Sequence, residues 1–393
     1  MNALEWRAVF SLGAVYALRM IGMFMVLPVF ALYARALPVP AEPWQIGLAI
    51  GIYGLTQALL QIPMGMASDR FGRKPVIMLG MLLFAAGSWL AGATQQIEWI
   101  VLGRALQGAG AVSSAVAALL ADVTRDQVRT TAMAILGAGM GLAFVLALVL
   151  GPLVSGWIGV DGIFQMTAVL AVLSLPVVLF AVPTPTEAKT SAGRLREVLA
   201  DGQLLRLDAG IFILHACMTA VFTAAPLAIA ETLELTSSEH WKLYLPVLLL
   251  SLIPVFPMIR IVERSGRLKP AFIGAICVLA LALATASVGH LVPALLVGAL
   301  LLYFIGFNFL EGALPSLISR KAPPQQKGAA LGVYSSAQFL GAFAGGTLGG
   351  FALQRGGIGA AFAVAAILPL LWLGVASKLV PPVAAAEQQT QID

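Results

Sequence analysis

Two side chains that could exchange a proton lie inside long apolar stretches of the sequence. Glu311 stands beside Phe307 and Phe309, and His215 lies in the apolar stretch 207–230. An ionisable group at membrane depth costs about 3 kcal/mol or more, so its presence calls for a function. Apolar surroundings disfavour the charged form of a carboxyl group, and imidazole titrates near neutral pH unaided. Both residues are therefore candidate proton carriers, although a hydrogen-bonded carboxylic acid and an ordinary core histidine fit the same positions.

Two arginines also lie at membrane depth. Arg19 is near the middle of the first apolar stretch, and Arg104 is in the fourth. A guanidinium group stays charged and only donates hydrogen bonds. It can bind an anionic ligand, pair with a carboxylate or donate to a backbone carbonyl group, and the sequence leaves these roles open.

Polar and soft side chains recur at helical spacing within the same stretches. They are Arg19 and Met23; Tyr53, Gln57 and Gln61; Asn308 and Glu311; and Tyr334 and Gln338. Residues three or four positions apart share one face of a helix. Methionine, aromatic and amide groups together suit a pliable substrate cavity for varied lipophilic ligands. Hydrogen bonds between helices explain the same pattern nearly as well.

The elements that carry these residues are expected to be membrane-spanning helices. Of the 393 residues, 60% are hydrophobic and 10% are charged, whereas a soluble domain has about 25% charged residues. Apolar stretches of about 20 residues can cross a bilayer, and backbone groups in lipid must be satisfied within the helix. We predict an all-α integral membrane protein. Its twelve spans are 9–33, 44–67, 75–94, 97–121, 131–154, 161–182, 207–230, 241–261, 270–289, 291–317, 328–353 and 358–379.

The positive charge of the chain is distributed unevenly over the loops between these spans. If the N-terminus is cytoplasmic, all but five of the 23 Lys and Arg residues fall at inner ends of spans. The exceptions are Arg35, Lys242 and Arg355 on the outer side and Arg19 and Arg104 within spans. The positive-inside rule thus predicts a multi-pass protein with both termini in the cytoplasm. The basic residues face the anionic inner leaflet, so the charge indicates a lipid partner and no nucleic acid.

Two sequence echoes divide the chain into halves. The stretch 69–74 after the second span resembles 263–269 after the eighth, and 127–132 resembles 325–330. Each echo falls in the equivalent loop, which indicates a duplicated unit of six helices. Repeats of this kind place a binding site at their interface, with alternating access by rocking.

We predict four regions. They are an N-terminal six-helix bundle over 1–183, a cytoplasmic linker with an amphipathic helix over 184–206, a C-terminal six-helix bundle over 207–380 and a short cytoplasmic tail over 381–393.

The loop after the second span carries a specific pattern, G-x-x-x-D-R-x-G-R-K. Its fixed positions are Gly65, Asp69, Arg70, Gly72, Arg73 and Lys74. Gly72 permits a tight turn, and Arg73 requires a carboxylate partner, for which Asp122 is the nearest candidate. The pattern resembles the loop 2–3 signature of the major facilitator superfamily. The resemblance implies that this cluster is a conformational latch at the inner ends of the halves; ordinary positive-inside topology is the plainer explanation.

Further patterns resemble the twelve-helix drug/proton antiporter branch of that superfamily. The segment 104–110 reads R-x-x-Q-G-x-G, and the fifth span carries Gly141, Gly151, Pro152 and Gly156 as an antiporter-type hinge motif. Ser155 stands where paired glycines are usual. For Arg104 the resemblance implies a part in proton transfer.

The resemblance implies two pseudo-symmetric six-helix bundles and a proton-coupled exporter of small amphipathic or lipophilic compounds. It further implies a monomer in the bacterial inner membrane, with the proton gradient as energy source. A sugar or metabolite exporter and a non-transporting sensor remain alternatives. With three histidines, two scattered cysteines and no P-loop, we expect no metal, no cofactor and no enzymatic activity.

Overall fold

The computed structural model describes residues 1–184, 195–265, 267–323 and 326–380. The predicted tail 381–393 lies outside the described residues, as do parts of the predicted linker and of two echo segments. A six-residue helix, Leu195–Ala200, occupies part of the predicted linker, and its Val198 side chain is buried.

Ten helical segments in the described residues are long and apolar enough to cross a membrane. Two of them are about twice the usual length and reverse at a glycine with a positive φ, Gly159 (72°) in one and Gly357 (71°) in the other. Glycine has no Cβ and adopts this left-handed conformation without strain. Each double segment supplies two spans, which makes the twelve that the sequence predicts.

The spans are numbered one to twelve along the chain. The helices that form them are Ala3–Phe24 and Leu27–Arg35 (one), Pro43–Phe71 (two), Arg73–Gly92 (three), Ile97–Ala109 and Ser113–Val123 (four), Asp126–Pro176 (five and six), Gly202–Leu233 (seven), Trp241–Ser265 (eight), Leu268–Gly289 (nine), Pro293–Lys321 (ten) and Lys327–Ala376 (eleven and twelve).

Spans one and four are each interrupted. Span one breaks just before Pro28, which lacks a backbone N–H and cannot continue the hydrogen-bond ladder. Span four breaks after Gly110, whose carbonyl oxygen is thereby free to accept a side-chain donor. Both breaks lie in the N-terminal half.

The two halves meet tightly at the ends of the spans opposite to residues 1 and 380, which we call the outer ends. Spans two and eleven approach through glycine: a Cβ on Gly346 would lie only 2.6 Å from the Gly47 carbonyl oxygen and 3.0 Å from the Gly51 nitrogen. Small residues allow such close backbone packing in membranes. The rings of Trp44 and Phe351 stack nearby, with centroids 6.3 Å apart.

Further contacts between the halves lie in the outer and middle parts of the spans. Arg35 and Glu231 form an exposed ion pair of 3.4 Å at the outer ends. Phe144 of span five packs edge-on against Phe222 of span seven and tilted against Phe307 of span ten. The structure therefore shows the molecule closed on its outer side.

The glycine contact gives a test of this closure. Gly346→Ala should cost the closed state about 1–3 kcal/mol through overpacking, which is roughly a 5- to 150-fold shift toward an outward-open state. Spin labels at the exposed outer residues Gln95 and Leu291, in a Cys277→Ala background, should then lie farther apart in the Gly346→Ala variant than in the protein with Gly346.

Gly332→Ala is the matched control, since it lies on the same helix and its Cβ would meet nothing within 4 Å. Equal distance distributions for the two variants would contradict the assignment of this contact as the outer closure.

Candidate functional site

Arg19 organises the polar interior of the N-terminal half. Its side chain is only 1% exposed, and Nη2 donates to the Tyr53 hydroxyl (2.7 Å), the Gln57 Oε1 atom (2.6 Å) and the Gly110 carbonyl (3.1 Å). The break in span four thus supplies one of its acceptors. Its Nε and Nη1 atoms have no partner among the described residues. Of the roles left open by the sequence, the structure shows donation to neutral oxygens.

Two predicted cavity residues belong to this same interior network. The Gln57 amide donates to Gln61 Oε1 (3.1 Å) and to the Ser113 hydroxyl (3.3 Å). Both glutamines are buried. They join spans two and four within one half.

Arg104 also lies against the Tyr53 ring. It is 3% exposed and donates to Gln107 Oε1 (2.7 Å) and the Ala49 carbonyl (3.3 Å). The Arg104 and Arg19 guanidinium carbons lie 5.2 and 5.8 Å from the Tyr53 ring centroid. Two cations therefore approach one aromatic ring, each within the range of a cation–π interaction.

The two candidate proton carriers meet in the C-terminal half. His215 Nδ1 of span seven lies 3.9 Å from Glu311 Oε2 of span ten, and the Gln338 amide of span eleven is 2.8 Å from His215 Nε2. The Gln338 amide thus holds the Nε2 side of the imidazole, and the Nδ1 side faces Glu311. The Glu311 side chain is one-third exposed.

A cavity lies between the halves beside this cluster. Its wall includes Met23, Tyr53 and Arg104 from the N-terminal half and His215, Met218 and Gln338 from the C-terminal half. Among the described residues, Asn308 instead donates to Ser251 (2.9 Å) and bridges spans ten and eight. The Tyr334 hydroxyl is buried without a partner in that set.

The loop signature forms an ion-pair cluster within the N-terminal half. Arg73 Nε bonds Asp122 Oδ2 at 2.9 Å, and Nη1 donates to Ser68 (2.7 Å) and pairs with Asp69. Gly72 makes the turn with a φ of 95°. In this conformation the cluster joins spans two, three and four, and a latching role toward the other half remains a prediction.

The other members of the signature have separate places. Arg70 is exposed with its guanidinium over the Phe71 ring, and Lys74 donates to the Leu179 carbonyl (3.3 Å). A Cβ on Gly65 would lie 3.2 Å from the Ser114 hydroxyl, so this glycine permits close packing of spans two and four.

The hinge motif of span five packs on neighbouring elements at two of its glycines. Gly151 abuts the Met25 carbonyl at the break in span one, and a Cβ on Gly156 would lie 2.9 Å from Ser238 Cβ of the other half. A Cβ on Gly141 would meet nothing within 4 Å. The Pro152 carbonyl accepts from the Ser155 hydroxyl (2.8 Å), which caps the kinked turn.

Asp208 is a candidate that the sequence did not single out. Its place near the end of a span suggests a solvated carboxylate, yet the residue is only 5% exposed. Neither carboxylate oxygen has a hydrogen-bond partner among the described residues. Asp208 lies seven residues, about two helical turns, before His215 and therefore shares its helical face. That spacing is the sequence signal that could have indicated Asp208 as a candidate.

Two six-helix bundles, closed at one end around a central cavity lined by both, define a secondary membrane transporter. The chain matches the Major Facilitator Superfamily over residues 12–346 and 207–392 and belongs to that family.

Relatives agree with this assignment. The chain is 43% identical over 387 residues to the inner membrane transport protein YajR of Escherichia coli, covering 96% of this chain and 84% of that one. It is 28% identical over 351 residues to the multidrug resistance protein MdtH of Aeromonas hydrophila, with 85% and 84% covered. It is 29% identical over 279 residues to the chloramphenicol resistance protein CraA of Acinetobacter baumannii, with 67% of each covered.

Solved structures share the fold. A bacterial homologue of the human lysosomal transporter Spinster, in an inward-facing and occupied conformation, has a TM-score of 0.80 at 14% identity, with 97% of this chain and 98% of that one covered. The human organic anion transporter MFSD10 has a TM-score of 0.68 at 19% identity, with 95% and 100% covered.

The Arg73 cluster gives a stability test. Arg73→Ala leaves the buried Asp122 carboxylate without its cation, and removing one partner of a buried pair costs about 3–5 kcal/mol. The variant should insert into the membrane but melt at a lower temperature in detergent micelles.

Arg70→Ala is the control, because Arg70 is exposed and surface changes cost about 0.5 kcal/mol or less. Equal melting temperatures for the two variants would show that the Arg73 pairs are not maintained in solution.

Proposed function

We propose that this protein is a proton-coupled antiporter that exports small amphipathic or lipophilic compounds across the bacterial inner membrane by alternating access. Both termini are cytoplasmic in this proposal, and the protein acts as a monomer driven by the proton gradient without a cofactor. The observation that carries it is the His215–Glu311 pair, 3.9 Å apart, beside a cavity shared by both halves.

The cavity wall supports an amphipathic or lipophilic substrate. Met20, Met23, Met140 and Met218 contribute flexible thioethers that adapt to different shapes. Gln57 and Gln61, which could have bonded sugar hydroxyls, point into the N-terminal half. The names of the relatives MdtH and CraA, which refer to multidrug and chloramphenicol resistance, agree with this class.

The coupling follows from charge changes at the pair. Loss of a proton leaves a carboxylate on Glu311 next to the cavity, and its gain leaves a neutral group. In this proposal the two conformations bind the proton with different affinity, so that each protonation state favours one of them. Substrate that binds beside Arg104 and His215 competes with the protonated state, so export of substrate is exchanged for entry of a proton. The Arg73–Asp122 cluster stabilises the inner closure in the outward-open state.

The test is interior pH in proteoliposomes while lipophilic drugs and sugars are added to the outside. Wild-type protein should show a substrate-triggered proton flux, and Glu311→Gln should abolish it because the amide cannot carry a proton. His215→Ala should reduce it by about 100-fold or more, the usual contribution of one positioned proton-transfer group.

Glu234→Gln removes an exposed outer carboxylate of the same half and should leave the flux unchanged. Flux with sugars alone would favour a metabolite exporter. Binding without flux for every compound would overturn the antiporter and favour the sensor.

A further inference from the structure

Asp208 is a buried acid without a counter-ion. It lies on span seven, 5% exposed, and neither Oδ atom accepts a hydrogen bond from a described residue. Within that set it also forms no ion pair; Arg206, two residues earlier, donates instead to the Gly202 carbonyl. A buried carboxylate of this kind would be costly, so in this conformation the group must hold a proton or contact a buried water or ion.

Asp208 is one of a set of buried polar groups without partners on spans seven, ten and eleven. The other atoms in the set, all without partners among the described residues, are Glu311 Oε2, His215 Nδ1, the Tyr303 and Tyr334 hydroxyls, Ser336 Oγ and Thr347 Oγ1. Buried polar atoms are normally satisfied, and those that protein groups do not satisfy are usually bonded to internal water. These atoms are therefore the places in the C-terminal half where we expect internal water.

Spans seven and eleven pack side by side and run in the same direction. Gly341 of span eleven packs on Phe212 of span seven, and Gly345 packs on Ala216. In both contacts the residue of span eleven lies level with the residue 129 positions earlier in the chain. Continued inward, this register places Tyr334 of span eleven within about one helical turn of the level of Asp208 on span seven.

The groups lie at increasing depth from the inner end. At about 1.5 Å per helical residue, Asp208 is roughly 9 Å along span seven from Gly202, and Glu311 is roughly 15 Å from Lys321 at the inner end of span ten. His215 is roughly 20 Å along span seven by the same rise. The acids and the imidazole thus lie at successive depths between the inner end and the cavity.

We propose that Asp208 is a second proton-binding group, and that it relays the proton from Glu311 to the inner side through the Tyr334 hydroxyl and buried water. Glu311 releases a proton as its O–H bond breaks, and the Tyr334 hydroxyl accepts that proton while its own O–H proton passes to the Asp208 carboxylate. Asp208 then loses the proton to water at the inner end, which leaves the carboxylate ready to accept another. His215 stands at the cavity end of the relay. The relay rests on the proposed proton-coupled function and adds a residue and a direction to it.

The titration of Asp208 can be measured without a substrate. Infrared difference spectra of the purified protein across a pH titration should contain a carboxylic C=O band that Asp208→Asn removes and Glu311→Gln retains. Because the proposed relay couples the two acids, the remaining band in each variant should titrate at a shifted pH.

The matched control is Asp201→Asn. Asp201 caps the start of span seven by accepting from the Gln203 and Leu204 amides, and asparagine caps equally well. Spectra of Asp208→Asn identical to those of wild type would overturn the proposal. A band that responds to sodium at constant pH would overturn it too, because Asp208 would then hold a metal cation.

Proton flux in proteoliposomes separates the relay from the proposed function. Asp208→Asn should slow the flux by about tenfold or more. Asp208→Glu should restore the flux because a titratable carboxyl group returns. Restored flux in this second variant would also show that the protein tolerates a substitution at this site. Loss of flux in Glu311→Gln with full flux in Asp208→Asn would refute only the relay. Wild-type protein without flux for every compound would refute the antiporter, and the infrared titration would still decide whether Asp208 binds a proton.

Discussion

Hydrocarbon offers no hydrogen bonds, so polar groups within the spans have to be satisfied inside the protein, by protein or by internal water. The two halves meet this constraint differently. In the N-terminal half, Arg19 is surrounded by a phenol, an amide and the carbonyl that the break at Gly110 releases. In the C-terminal half, buried oxygen atoms of Asp208, Glu311 and Tyr334 have no hydrogen-bond partner among the described residues. The first arrangement suits a fixed scaffold, and the second suits groups that exchange protons.

The same constraint explains how the halves can move against each other. The interface at the outer ends consists of glycine backbone, aromatic rings and one exposed ion pair, with few strong bonds to break. An exposed pair such as Arg35–Glu231 contributes about 0–1 kcal/mol. The stronger ion pairs at Arg73 lie within one half. Rigid halves joined by a weakly bonded interface are what alternating access requires.

The fold followed from the sequence to a large extent. The prediction of 44–67 for span two compares with Pro43–Phe71, and both double helices turn within the predicted gaps 155–160 and 354–357. Long apolar stretches and the short gaps between them are local properties, which is why they can be recognised one segment at a time. Asp208 lies near a span end, where a solvated carboxylate is usual, yet it is buried, because burial of such a residue depends on how the neighbouring helices pack.

By itself, the sequence determined that the chain is a twelve-span helical membrane protein, to which superfamily it belongs, and which ionisable residues lie at membrane depth. Composition, periodicity and a ten-residue signature suffice for that. Only the tertiary structure decided which of those residues meet. Glu311 and His215 lie 96 positions apart in the chain but 3.9 Å apart in space. Gln57 and Gln61 share a helical face with Tyr53, yet only Tyr53 lines the cavity. Spacing along one helix fixes which side chains share a face, but the packing of the other helices fixes what that face contacts.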